Sequence, residues 1–121
     1  MVYRYNKPPT QRQLQVAESI KHVISEMFLR NELSHPFFEQ NIITVSEARI
    51  SPDLKLVTVF ISAADEIDIS KLLKLLNEIS HIFRSALRKK LLLRAIPQVR
   101  FAFDESFQRA QKIEDIINSL N

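Results

Sequence analysis

The sequence of 121 residues contains no glycine. Glycine adopts positive φ angles without strain and lets a backbone approach a phosphate group closely. Its absence excludes the glycine-rich phosphate loops of P-loop proteins, dinucleotide-binding proteins and protein kinases. Nucleotide-binding enzymes of those three classes are thereby ruled out.

The length predicts one domain over residues 1–121, large enough to bury roughly two-thirds of the surface that the unfolded chain exposes. With no cysteine, the chain has neither disulfides nor thiolate metal ligands. No apolar run approaches the roughly 18 residues that a membrane span needs. We therefore expect a soluble, cytoplasmic protein without membrane association, whose residues 1–9 form a mobile basic tail.

Positive charge is segregated along the chain. Residues 79–103 hold six cations and no carboxylate, and residues 1–17 hold three more, again with none. The whole chain has a net charge of +3, so the residues other than these nine cations together carry a net charge of −6. Such a one-sided field is typical of a phosphate-binding face. The alternative is a solvated helix surface.

The first half of the chain predicts a helix and a hairpin. A Thr10–Gln13 capping box opens an amphipathic helix over residues 11–33, which Pro36 should terminate. Residues 42–50 form a predicted strand whose apolar positions change parity, so we expect a β-bulge near residues 46–47. A tight turn then leads to a second strand over residues 56–63.

The second half predicts a helical crossover, a strand and a last helix. Leucine and isoleucine recur at helical spacing from Leu72 to Leu87, and the helix should bend or end near residues 88–91. Residues 99–103 alternate as a third strand, and Asp104 can cap the final helix. We expect that helix to bury an apolar side that comprises Phe107, Ala110, Ile113, Ile116, Ile117 and Leu120.

Several segments resemble the ribosome-binding factor A family over roughly residues 12–120. The hairpin carries Thr44-Val45, Ser51-Pro52-Asp53-Leu54 and Val57-Thr58-Val59-Phe60-Ile61-Ser62. Further along stand Ile82-Phe83-Arg84 and Leu93-Arg94-Ala95-Ile96-Pro97-Gln98-Val99-Arg100-Phe101 followed by Asp104. These match, in order and spacing, the family's turn, its F-I-R motif and its proline-led strand.

The resemblance implies an α+β, KH-like type II domain: a three-stranded sheet packed against helices, in the order α-β-β-α-(kink)-α-β with a C-terminal helix. It also implies a monomeric assembly factor, without cofactor or small-molecule substrate, that binds the immature 30S subunit. Such a factor contacts 16S rRNA and assists late maturation and 5′ end processing. The chain departs from the family at Ile79-Ser80-His81, where the family's kink has Ala-x-Gly, and at Gln15, where many members have arginine.

Nine cations are the predicted RNA-binding residues. Arginine suits bidentate phosphate contacts, although Arg84 and Arg94 could instead anchor the fold by bonding helix-end carbonyls or Asp104. Phe60, Tyr3 and Tyr5 are candidates for base stacking, the alternative for Phe60 being a core contact with the last helix. The nine cations are Arg84, Arg88, Lys89, Lys90, Arg94, Arg100, Arg12, Lys7 and Arg4.

We expect no catalysis and no metal site. The three histidines are far apart in sequence, and Asp53 and Asp104 sit where carboxylates cap backbone donors. Two rival functions follow: a protein-interaction module that docks a partner through the acidic loop and last helix, and a small hydrolase that uses Asp53 and Asp104.

Overall fold

The structure, a computed structural model, describes residues 7–120 except for the side chains of residues 107–111. Helix α1 spans Gln11–Leu29. At its start the Gln13 amide donates to the Thr10 hydroxyl at 3.2 Å, and the Thr10 amide donates to the Gln13 side chain at 2.5 Å. The predicted capping box is therefore confirmed, and it satisfies two amides at the helix end.

The predicted helix end is four residues too late. The amides of Asn31 and Glu32 donate back to the carbonyls of Phe28 and Met27, and Asn31 has φ 54°. This is the Schellman arrangement, in which a left-handed residue closes the helix. Asparagine takes the place that glycine usually fills.

A short helix, α2, occupies Pro36–Gln40 and was not predicted. The ring Nδ1 of His35 accepts a hydrogen bond from the Phe37 amide at 3.1 Å. Proline stands at the first helical position, where its missing N–H removes no bond. Pro36 thus starts a new helix as well as following the end of α1.

Strands β1 (Thr44–Ile50) and β2 (Leu56–Ser62) pair antiparallel as the predicted hairpin. The register shifts between Val45 and Glu47, which confirms the expected bulge. Because of the extra residue, Val45 and Ile50 both point into the core despite their opposite parity.

Strand β3 (Gln98–Phe103) lies parallel to β2, so the sheet order is β1-β2-β3. Helices α3 (Ile69–Glu78) and α4 (Ser80–Lys90) form the crossover and pack with α1 on one face of the sheet. The side chains at the centre of this layer are fully buried: Ile20, Ile24, Val57, Val59, Ile61, Leu72, Leu76, Phe83 and Leu87. The α+β fold and element order agree with the predicted KH-like domain.

The kink between α3 and α4 is present without a glycine. Ile79 separates the two helices at φ −101° and ψ 19°, a backbone conformation with negative φ that does not require glycine. Its side chain packs against the core, and Asn77 Oδ1 accepts a hydrogen bond from the Phe101 amide at 3.2 Å. Packing and this contact to β3 hold the bend.

Helix α5 spans Ser106–Ser119. The N-cap position is Glu105, so the predicted capping residue, Asp104, stands one residue before it. From there Asp104 Oδ1 accepts bonds from the Ser106 amide at 2.9 Å and from its hydroxyl at 2.6 Å. The expected burial of its apolar side is wrong for residues 112–120, all of which are exposed, including Ile113, Ile116, Ile117 and Leu120. No described segment of the sheet or of the other helices covers them.

None of the helices within residues 7–120 is both long enough and apolar enough to span a membrane.

Candidate nucleic-acid interface

An open groove of about 380 Å³ lies at the end of the sheet where β2 and β3 begin. Its walls are the first turns of α1, the turn between β1 and β2, and residues 93–98. Exposed side chains of Arg12, Lys55 and Arg94 surround it, with Asp53 the acidic residue among its lining. We call this feature the basic groove.

The floor of the basic groove is apolar. Side chains from all three walls contribute to it: Val16, Ile50, Leu54, Leu93, Ile96 and Pro97. Cations above an apolar floor can bind a phosphate and, beside it, a flat apolar group such as a nucleobase. The fold thus joins Arg12 and Arg94, which are 82 positions apart in sequence.

The turn between β1 and β2 is fixed by hydrogen bonds around the buried Ser51. The Ser51 hydroxyl donates to Asp53 Oδ1 at 2.6 Å and accepts from the Leu56 amide at 3.0 Å. The Lys55 amide donates to the same Asp53 oxygen at 3.0 Å. These bonds, that of the Ser51 hydroxyl first, hold the pKa of Asp53 below its usual range.

Arg84 is not among the residues that line the basic groove. Its Nε donates to the Pro97 carbonyl at 3.2 Å, and its terminal nitrogen donates to the Ile96 carbonyl at 3.5 Å. Arg84 therefore ties the segment that lines the groove to α4. This geometry fits the alternative role of a fold anchor, although the carbonyls belong to the loop before β3 and not to a helix end.

Three predicted cations stand together in the last turn of α4: Arg88, Lys89 and Lys90, all exposed. Lys90 Nζ lies 3.2 Å from Glu32 Oε2, so part of its charge is balanced. Cations at a helix C-terminus also interact favourably with the helix dipole. Residues 91–97 lead from this basic turn to the groove.

Arg100 lies on the opposite face of the sheet. Its guanidinium donates to the Thr58 hydroxyl at 3.2 Å. On the same face, the Arg49 guanidinium sits 5.4 Å from the centre of the Phe60 ring and pairs with Glu47 at 2.9 Å. The alternation of Arg100 with buried Val99 and Phe101 already indicated this separation.

The remaining sequence predictions concern the N-terminal residues. Lys7 is exposed, whereas Arg4, Tyr3 and Tyr5 lie outside the described residues.

Lys55 was not among the predicted RNA-binding residues, because it stands in a turn near an aspartate, away from the long carboxylate-free run. Its place next to the Ser51–Leu54 motif was the available signal.

The two aspartates of the rival hydrolase do not meet. Asp53 precedes β2, and the Asp104 amide donates to Ile61 near the other end of that strand. A strand of seven residues separates them by about 20 Å. Within residues 7–120, no three His, Asp or Glu side chains cluster closely enough to hold a metal ion.

A family profile described as Ribosome-binding factor A matches residues 12–117. A ribosome-binding factor A from Pelagibacter ubique is 40% identical over 121 residues, which is 100% of this chain and 99% of that protein.

Among solved structures, the crystal structure of ribosome-binding factor A from Thermus thermophilus superposes with a TM-score of 0.62 at 21% identity, over 74% of this chain and 93% of that one. A homology model of the Thermus thermophilus factor, fitted into the cryo-EM map of a complex with 30S, gives a TM-score of 0.60 at 20% identity and covers 77% of this chain and 96% of that one. These structural likenesses show a shared fold.

Proposed function

Because the chain belongs to the ribosome-binding factor A family, we propose that it binds the immature 30S subunit and contacts 16S rRNA. In this role it assists late small-subunit maturation and processing of the rRNA 5′ end, as a cytoplasmic monomer and without catalysis. The observation that carries the proposal is the basic groove, in which Arg12, Lys55 and Arg94 converge from three separate segments.

The basic groove brings together two of the predicted RNA-binding residues, Arg12 and Arg94. Arg88 and Lys89 extend the positive surface from α4, and Lys90 and Lys7 are further exposed cations. Arg84 contributes by holding residues 96–97 in place. Arg100 lies on the other sheet face, so its contact with RNA would need a second surface. The Thermus thermophilus factor, whose fold this chain shares, is described in a complex with 30S.

Neutralising the basic groove should weaken 30S binding and flatten its salt dependence. A plot of log affinity against log salt has a negative slope, and each lost phosphate contact reduces the steepness of that slope by roughly 0.7–0.9. The triple variant R12Q/K55Q/R94Q should therefore lose about two units of slope. Co-sedimentation with immature 30S subunits over a range of KCl concentrations measures this.

A matched control removes three exposed lysines elsewhere: K71Q/K74Q/K112Q. It has the same net charge as the groove variant, so a general charge effect would change both equally. If both triple variants bind 30S with the wild-type salt slope, the proposed RNA contact is wrong. Circular dichroism of each variant confirms that the fold is retained.

The exposed apolar side of α5 favours a second candidate function, a protein-interaction module without direct RNA contact. Binding through Ile113, Ile116, Ile117 and Leu120 would respond little to salt, because burial of apolar surface involves no counterion release. The same co-sedimentation series therefore separates the two functions. An affinity for 30S that is steep in salt supports the RNA contact, and a flat response supports the protein contact.

A further inference from the structure

Asp53 is out of place in a phosphate-binding groove. A carboxylate beside Arg12, Lys55 and Arg94 repels the phosphates that those cations attract. Its bonds to Ser51 and Lys55 stabilise the turn, and they are stronger to a carboxylate than to the neutral oxygen of an asparagine. An asparagine would still supply an acceptor oxygen for both bonds without repelling phosphate, so the position also suits a role in which the negative charge faces a ligand.

The geometry around Asp53 leaves it able to accept from a ligand. Both of the hydrogen bonds described above end on Oδ1, and the side chain is exposed, so Oδ2 can take a further donor. The bonds from Ser51 and Lys55 lower the pKa of Asp53, so the group is ionised at neutral pH and acts only as an acceptor.

The groove has the size and lining for one unpaired nucleotide. Its volume of about 380 Å³ falls in the range of roughly 300–1,000 Å³ that small-ligand sites occupy. Leu54 and Ile96 offer apolar contact for a base, and the exposed side chains of Arg12 and Arg94, which line the same groove, are available to bind its phosphate. Duplex RNA would present phosphates to the rim but no free base to the floor.

Resting on the proposed function, we propose that Asp53 is the specificity-determining residue of the basic groove. It accepts a hydrogen bond from the exocyclic amino group of an unpaired base and so favours cytosine, adenine or guanine over uracil. Cytosine offers an N4 amino donor where uracil has a carbonyl oxygen. With uracil at the same position, the Asp53 carboxylate oxygen would face a carbonyl oxygen, and no hydrogen would lie between the two acceptors.

Cytosine and uracil form a matched pair of probes, because they differ little in size and stacking. We measure the binding of hexacytidylate and hexauridylate to the full chain by fluorescence anisotropy at one fixed salt concentration. The wild-type chain should bind hexacytidylate about five- to tenfold more tightly, the loss expected for one mismatched base contact. Equal affinities would overturn the proposal without any variant.

The D53N variant separates base reading from simple repulsion. If Asp53 reads the base, D53N should bring the cytosine-to-uracil ratio to about one or below, because the asparagine amide can donate to the uracil oxygen. If Asp53 only repels phosphate, D53N should tighten both oligonucleotides equally, and that result would overturn the proposal. The control D65N removes an exposed carboxylate outside the groove and should leave the ratio unchanged.

The outcomes distinguish this proposal from the proposed function. Salt-dependent 30S binding that requires Arg12, Lys55 and Arg94, together with equal affinity for the two oligonucleotides, would keep the function and remove the role of Asp53. Absence of any 30S binding would contradict the function itself, whichever oligonucleotide the chain prefers.

Discussion

Asp104 joins three parts of the molecule through one side chain and one amide. Its amide donates to Ile61 at 2.8 Å, and its carboxylate accepts from the amide and hydroxyl of Ser106. The Ser106 hydroxyl first, then the Ser46 hydroxyl and the Ser106 amide, lower the pKa of Asp104, with a contribution from Arg49. The β1 bulge, the end of β2 and the start of α5 thus meet at this residue.

This arrangement predicts how stability changes in acid. Because the folded-state pKa of Asp104 lies below its ordinary value of 3.8, its contribution is complete above that pH and is lost as the pH falls through the folded-state pKa. D104A should lower the free energy of unfolding by about 1 kcal/mol at pH 7, because it removes the acceptor of the Ser106 amide and hydroxyl. Urea unfolding between pH 7 and pH 2.5 measures the difference from wild type, which should shrink in acid.

The matched control is D65A, at an exposed aspartate of the loop after β2. It should leave the free energy of unfolding close to that of the wild type at every pH. A difference between D104A and wild type that stays constant down to pH 2.5 would contradict the role given to the Asp104 carboxylate.

At the scale of elements, α3 is attached to the edge of the sheet through Asn77. Its Oδ1 accepts from the Phe101 amide at 3.2 Å, so a strand amide finds a partner on a helix. N77A should lower the free energy of unfolding by about 1–2 kcal/mol, because it leaves that amide without its acceptor. N77D keeps an acceptor oxygen and should cost less. Equal effects of N77A and N77D in urea unfolding would show that the bond contributes nothing.

Features that are determined by residues close together in sequence were predictable. The Thr10–Gln13 box and the parity change around Ser46 each leave a direct mark in the sequence, and the structure confirms both. The end of α1 was predicted four residues too late, because without glycine nothing marked Asn31 as the left-handed residue. The five-residue α2 is too short for a periodic pattern.

The candidate site was harder to predict than the fold. A run of cations in sequence does not tell on which side each one emerges. Arg94 and Arg12 meet only because residues 93–98 pass beside the start of α1, whereas Arg100 turns to the other face. Arg84 has a side chain of the type that binds phosphate, but in the structure it donates to two backbone carbonyls. These distinctions depend on tertiary packing, which a linear pattern does not contain.

At the scale of the whole molecule, the two ends of β2 differ in charge. The basic groove lies where β2 begins, and the acidic residues Asp65, Glu66 and Asp68 follow where it ends. A molecule with separated charges is oriented by the field of a polyanion before contact. In the proposed function, the basic end should therefore approach the RNA first, with the acidic loop directed away from it.

The last part of α5 should contribute little to the stability of the whole domain. Its residues 112–120 are exposed, so a chain that lacks residues 112–121 should have a free energy of unfolding within about 0.5 kcal/mol of the full chain. The reference variant I24A, at a fully buried isoleucine, should lose about 2–5 kcal/mol. Urea unfolding measures both. A loss from truncation that approaches that of I24A would show that α5 is part of the core.

Leu54 has φ 62°, a conformation that costs most non-glycine residues about 1–2 kcal/mol. It is held there by the turn, in which the Leu54 amide donates to the Ser51 carbonyl and the Ser51 amide donates to the Leu56 carbonyl, each at 2.8 Å. This wall of the basic groove is therefore ordered when the domain folds. In the proposed RNA complex, the conformational entropy lost on binding would therefore be mainly that of the flexible RNA strand, and this part of the protein would lose little.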